Sequence, residues 1–121
     1  MLVKLLKAKI HRAVITTTDM DYVGSIAIDG DLLSEAGILP YEAVLVADVT
    51  NGARFETYVQ PAEAGSGTIC VNGAAAHLVK DGDLVIVFSF GYYEEADAVS
   101  HDATIVFVDE KNHVTRVTGR R

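Results

Sequence analysis

A serine that directly follows a glycine can break its own chain. Its hydroxyl reaches the preceding carbonyl carbon through a five-membered ring, and the peptide becomes an ester. Elimination leaves dehydroalanine, and hydrolysis with loss of ammonia leaves a pyruvoyl group. That ketone condenses with a substrate amine and accepts electrons without a bound cofactor. Two Gly-Ser pairs occur, Gly24-Ser25 in YVGSIAID and Gly65-Ser66 in AEAGSGT. The first precedes a strand-like run, and a glycine there puts no side chain in the path of the attack. The second lies in a Gly-rich loop. Taken alone, either pair is more simply a turn or a strand edge.

Other routes to chemistry are thin. His11, His77, His101 and His113 are too scattered for a metal motif. Cys70 stands alone, which excludes an internal disulfide and a multi-cysteine zinc site. It lies in the apolar run TICV and reads as an inert buried thiol. No G-x-S-x-G elbow, G-x-G-x-x-G or phosphate loop is present. Several polar residues remain. Arg54 can grip a carboxylate through two parallel hydrogen bonds, or can be a solvated strand arginine. Lys9 can do the same as a point charge, or can snorkel. Thr57 and Tyr58 are neighbours on a strand-like run, so their side chains point to opposite faces unless the strand bulges or two subunits meet there. Asn72-Gly73-Ala74-Ala75 is a run of small residues that lets backbone approach a ligand closely, or an ordinary turn.

The elements that must carry these residues are mostly strands. Leu2 to Thr18 interleaves Lys4, Lys7 and Lys9 with apolar residues and ends in a β-branched threonine run. GSIAID is a short strand. DGDLLSEAGILP is a short helix, with Asp29 or Asp31 as its cap, Gly37 at its end and Pro40 beyond. EAVLVADVTNGARFETYVQP is a hairpin about Asn51-Gly52. TICV, VIVFSF, ATIVFVD and HVTRV are further strands, AAAHLVK is a helical turn or two, and the tail TGRR frays. At 121 residues the chain is one domain of 1–121, mainly β, a closed or nearly closed barrel with two short helices. Seventeen acidic against ten basic residues, a net charge of −7, argue against nucleic acid as a partner. No apolar run is long enough to span a membrane, and no signal peptide is visible, so the expected compartment is the cytoplasm.

Several blocks recur together. KIHRAVIT, YVGSIAID, EAGILPYE, VTNGARFETYV and ICVNGAAAH resemble, in order and spacing, the pyruvoyl-dependent aspartate 1-decarboxylases, which make β-alanine for pantothenate. The resemblance covers nearly all of residues 1–90 and thins after Tyr93. It implies a double-psi β-barrel, a homotetramer with its site at a subunit interface, and no metal. It also implies cleavage between Gly24 and Ser25, giving fragments 1–24 and 25–121, with Ser25 converted to the pyruvoyl group. Thr57 would polarise the Gly24 carbonyl during cleavage. Arg54 and Lys9 would hold the carboxylates of L-aspartate, with Thr57, Asn72, Gly73, Ala74 and Ala75 completing the substrate site. Tyr58 would return a proton after carbon dioxide leaves; a phenol, with a pKa of ~10 when free, keeps that proton at neutral pH. His11 and Tyr22 would support the site. Two other readings stand beside this one: a non-catalytic double-psi barrel that serves as a recognition module, and a pyruvoyl decarboxylase of another amino acid such as glutamate.

Overall fold

The computed structural model describes residues 1–119. In chain order the elements are β1 (Leu2–Val14), β2 (Thr17–Asp19), β3 (Ser25–Asp29), α1 (Gly30–Ala36), β4 (Ala43–Asp48), β5 (Arg54–Ala62), β6 (Ile69–Asn72), a 3-10 helix (Gly73–His77), β7 (Leu84–Glu94), α2 (Glu95–Ala98), β8 (Thr104–Val108) and β9 (Val114–Thr118). The strands form one nine-stranded sheet in the order β2-β6-β3-β5-β4-β7-β1-β8-β9. It is not closed by hydrogen bonds between its two edge strands, and is consistent with the small, nearly closed barrel expected.

Alternation builds the core. Along β1 the buried Ala8 and Ile10 point inward, while Lys9 and His11 lie on the other face. Val44 and Val46 on β4, and Val85 and Val87 on β7, repeat the pattern. In β3 four of five residues are buried, Ser25 among them. Fully burying a Val or Ile side chain contributes ~1.5–3 kcal/mol. Ile26 and Ile28, both fully buried, therefore anchor the strand that begins at Ser25.

The local signals locate α1 and the hairpin. Asp29 caps α1 by accepting from the Asp31 N–H, and Gly37 ends it at φ 71°. The β4–β5 turn is wider than a two-residue hairpin. The Asp48 carboxylate accepts from the Thr50 and Asn51 N–H groups, and Gly52 takes φ 82°. Three expectations are corrected. Leu2 to Thr18 splits into β1 and β2. EADA forms the unforeseen α2. Thr118 of the TGRR tail belongs to β9, which pairs with β8 and so does not fray; Arg120 and Arg121 lie outside the described residues. No helix among the described residues is long and apolar enough to cross a membrane.

Candidate active site

Three strands and one turn meet at Gly24-Ser25. β3 runs antiparallel to β6, which sets Ser25 opposite Asn72. Asn72 Nδ2 donates to Ser25 Oγ at 3.2 Å. Both residues are buried, Ser25 to 1% exposure and Asn72 to 6%. Behind Asn72, Gly73 turns at φ 73° into the 3-10 helix. A Cβ on Gly73 would stand 2.6 Å from Gly24 Cα and 3.4 Å from the Tyr22 carbonyl oxygen. Tyr22, whose side chain is exposed, thus contributes its backbone to this contact. Gly24 itself is different, because a Cβ there meets nothing within 4 Å. The steric need for glycine therefore sits at Gly73, where the sequence reading placed it at Gly24.

On its other side β3 runs parallel to β5, with Ile26 level with Val59. Beyond the paired residues, Tyr58 and Thr57 precede Val59 on β5 as Ser25 and Gly24 precede Ile26. The β4–β5 register is unbroken through Thr57 and Tyr58, so no bulge turns them to one face. Both are half-buried, and Tyr58 stacks on Tyr41 with ring centroids 6.3 Å apart. In the run of small residues Gly73 is buried, Ala74 exposed and Ala75 half-buried.

Lys9 and Arg54 come together elsewhere. Lys9 Nζ lies 6.0 Å, and Arg54 Cζ 5.8 Å, from the Phe88 ring centroid. Phe88 sits on β7 between Lys9 of β1 and Leu45 of β4. β1 is four places from β3 in the sheet. Arg54 lies four residues before Tyr58 on β5, roughly 13 Å along an extended chain. His11 shares the face of Lys9. Its ring meets Phe107 edge-on at 5.5 Å, and its Nδ1 is buried without a hydrogen-bond partner. Burial first, then the charges of Lys9 and Arg12, holds the imidazole below its ordinary pKa.

The family model described as aspartate decarboxylase matches residues 1–115. The chain belongs to that family. The Aspartate 1-decarboxylase of Legionella pneumophila (strain Lens) is 55% identical over 118 residues, 98% of this chain and 89% of that protein. Those of Acetivibrio thermocellus and Moorella thermoacetica are 51% and 48% identical, over 97% and 93% of this chain and 93% and 88% of theirs. The family match extends past Tyr93 and into β9. A structural tie accompanies it. Buried Asn112, between β8 and β9, accepts from the Val14 N–H and donates to the Val14 and Gly67 carbonyls.

Within this aspartate decarboxylase family member two contributors escaped the sequence reading. Phe88, read only as part of a buried strand, is the ring both cations approach; pairing β7 with β1 by alternation would have suggested it. Cys70 is less buried than expected. It is half-buried, and its Sγ donates to Asn72 Oδ1 at 3.1 Å. No group of three His, Cys, Asp or Glu among the described residues could hold a metal ion.

Proposed function

We propose that this chain cleaves itself between Gly24 and Ser25 and, once matured, decarboxylates L-aspartate to β-alanine and carbon dioxide, the step that supplies pantothenate synthesis. One observation carries the reading: a buried Ser25 whose oxygen accepts from Asn72, against a Gly24 that Gly73 closes upon. Ser25 Oγ attacks the Gly24 carbonyl carbon, a C–O bond forms and the C–N bond breaks. Because Oγ accepts the Asn72 hydrogen bond, its own proton stays free to leave. Thr57, two residues before Val59 on the neighbouring β5, would polarise that carbonyl. Elimination frees the Gly24 carboxylate, and one water then enters as one ammonia departs.

The surroundings of Ser25 suit the resulting keto group. The site is shielded from solvent, and Asn72 Nδ2 can donate to a carbonyl oxygen as it does to the hydroxyl. That pyruvoyl group supplies the electrophile and electron sink. The remaining work falls to side chains. Arg54 and Lys9 bind the two carboxylates of the substrate, and Tyr58 holds a proton for the α-carbon. Tyr58 opposes Thr57 across one strand, and Lys9 and Arg54 lie away from their own Ser25 along the sheet. Both observations favour a site shared between subunits; the homotetramer is what the family resemblance implies, and we place it in the cytoplasm. His11 and Tyr22 support the site, His11 beside Lys9 and Tyr22 through its carbonyl.

The test uses two variants. Ser25→Ala should remain one chain and release no carbon dioxide from L-aspartate. Tyr58→Phe should split normally yet lose about 100-fold or more in turnover, the usual worth of a placed proton donor. β-Alanine formed at the native rate by Tyr58→Phe would contradict its role, and an active Ser25→Ala would contradict the whole reading. Glutamate tried beside aspartate separates the two substrates, since one methylene is worth ~1–3 kcal/mol in a tight pocket.

A further inference from the structure

We propose that Cys70 is a positioning residue for chain cleavage: its thiol fixes the Asn72 amide so that an N–H, and not a carbonyl oxygen, faces the Ser25 hydroxyl. The inference rests on the reading that the chain splits at Gly24–Ser25. An asparagine amide has two ends of nearly equal size, and a half-turn exchanges donor for acceptor. Here Cys70 Sγ is 3.1 Å from Asn72 Oδ1, and Asn72 Nδ2 is 3.2 Å from Ser25 Oγ. Alternation along β6 places Cys70 and Asn72 on one face, and the β3–β6 register sets Ser25 opposite Asn72.

The two orientations have different consequences. As observed, Ser25 Oγ accepts one hydrogen bond, and its proton is uncommitted when the oxygen attacks. After a half-turn, Asn72 Oδ1 would face Ser25 and engage the hydroxyl proton. The NH2 group would then meet sulfur, a weak acceptor. Ser25 and Asn72 are too well buried for bulk water to compensate either loss. A thiol that donates selects the productive orientation.

The donor must keep its proton. Burial first, then the carboxylates of Asp19 and Asp81, holds the Cys70 thiol above its ordinary pKa. Those two charges face it from β2 and from the turn after the 3-10 helix. On the other side, β3 presents only uncharged residues from Ser25 to Ile28.

The experiment follows full-length native, Cys70→Ala and Cys70→Ser chains made by cell-free synthesis, with the fraction split read over time on denaturing gels. At pH 7.5 Cys70→Ala should split about five-fold more slowly, the worth of one ordinary hydrogen bond of ~1 kcal/mol. Cys70→Ser keeps a donor and should split at least as fast as the native chain. A native rate in Cys70→Ala, or a Cys70→Ser as slow as Cys70→Ala, overturns the proposal. A pH series on the native and Cys70→Ser chains holds even if Cys70→Ala fails to fold. Above the ordinary thiol range of roughly 8.5 the native chain should slow relative to Cys70→Ser; parallel profiles overturn the proposal. A native chain that never splits overturns the cleavage reading and this inference together. A native chain that splits, beside an unaffected Cys70→Ala, overturns this inference alone.

Discussion

Lys9 and Arg54 carry two of the ten basic charges in a chain with a net charge of −7, so a dianionic substrate meets attraction only where such charges are gathered. The gathering point is Phe88, whose ring lies about equally far from both. A guanidinium on a carboxylate is worth ~1.5–3 kcal/mol, whereas a cation over a ring is worth ~0.5–1 kcal/mol at an exposed site. On the proposed reading a substrate carboxylate would therefore hold Arg54 more strongly than the Phe88 ring does. Arg54→Gln should raise KM for aspartate by about 10-fold or more, and Phe88→Leu by about 2- to 5-fold, with self-cleavage unchanged in both. Steady-state kinetics on the matured variants, beside a gel for splitting, checks this. An Arg54→Gln variant with native KM would remove Arg54 from the substrate site.

At the scale of elements, the turn from β6 into the 3-10 helix limits the site more than the turn that leads into Ser25. Gly73 has φ 73°, and a Cβ there would press to 2.6 Å of Gly24 Cα, a backbone atom with no flexible end to move. Gly24 has open space around it. Gly73→Ala should lower the melting temperature by several degrees and block splitting, while Gly24→Ala should fold with nearly native stability; thermal melts of both variants decide it. This asymmetry was not legible in the sequence, where both positions are simply glycines. Elements marked by neighbouring residues were legible, namely the Asp29 cap and Gly37 end of α1 and the turn about Asn51-Gly52. What depended on strands far apart in sequence was not. Thr17–Asp19 became a strand because β6 runs beside it. Cys70 lies beside Asn72 because β6 alternation sets both on one face. Phe88 lies beside Lys9 and Arg54 because β7 runs between β1 and β4. The residues expected at the site come from the five sequence blocks, but their division between a group about Ser25 and a group about Phe88 needed the sheet order.

Over the whole molecule, carboxylates set opposing pH trends. Burial pushes Asp29 upward, but N–H donors from Gly67, Asp31 and Gly65 outweigh it and leave the acid below its ordinary pKa. Glu42 is likewise lowered, with burial overcome by Leu39, Ser89 and Lys7. Both stabilise the fold above the ordinary carboxylate range and lose that contribution as pH falls through their folded values. Asp48 is opposite. Burial first, then the neighbouring Asp83 carboxyl, raises it, and its buried Oδ2 has no hydrogen-bond partner among the described residues. A group whose folded pKa is raised contributes fully below its unfolded value and less as pH rises through the folded one. Asp48→Asn keeps the acceptor for Thr50 and Asn51 and removes the buried charge that stands beside Asp83. It should stabilise the protein by ~1 kcal/mol near pH 7, and the gain should shrink toward pH 4. Melting temperatures of native and variant across that range test the sign; a gain that grows on acidification would contradict it.

Splitting after Gly24 would place β1 and β2 in the small fragment. β1 pairs with β7 and β8, and β2 with β6, so the two pieces should stay together until denatured. The most direct measurement is therefore the intact mass of the purified protein under denaturing conditions. Self-cleavage with pyruvoyl formation predicts two species, residues 1–24 and 25–121, the larger lighter by one ammonia than a chain that begins with Ser25. A single uncut chain of 13.0 kDa that persists through prolonged warm incubation would contradict it. So would two fragments that retain the ammonia, because a simply hydrolysed chain has no electron sink.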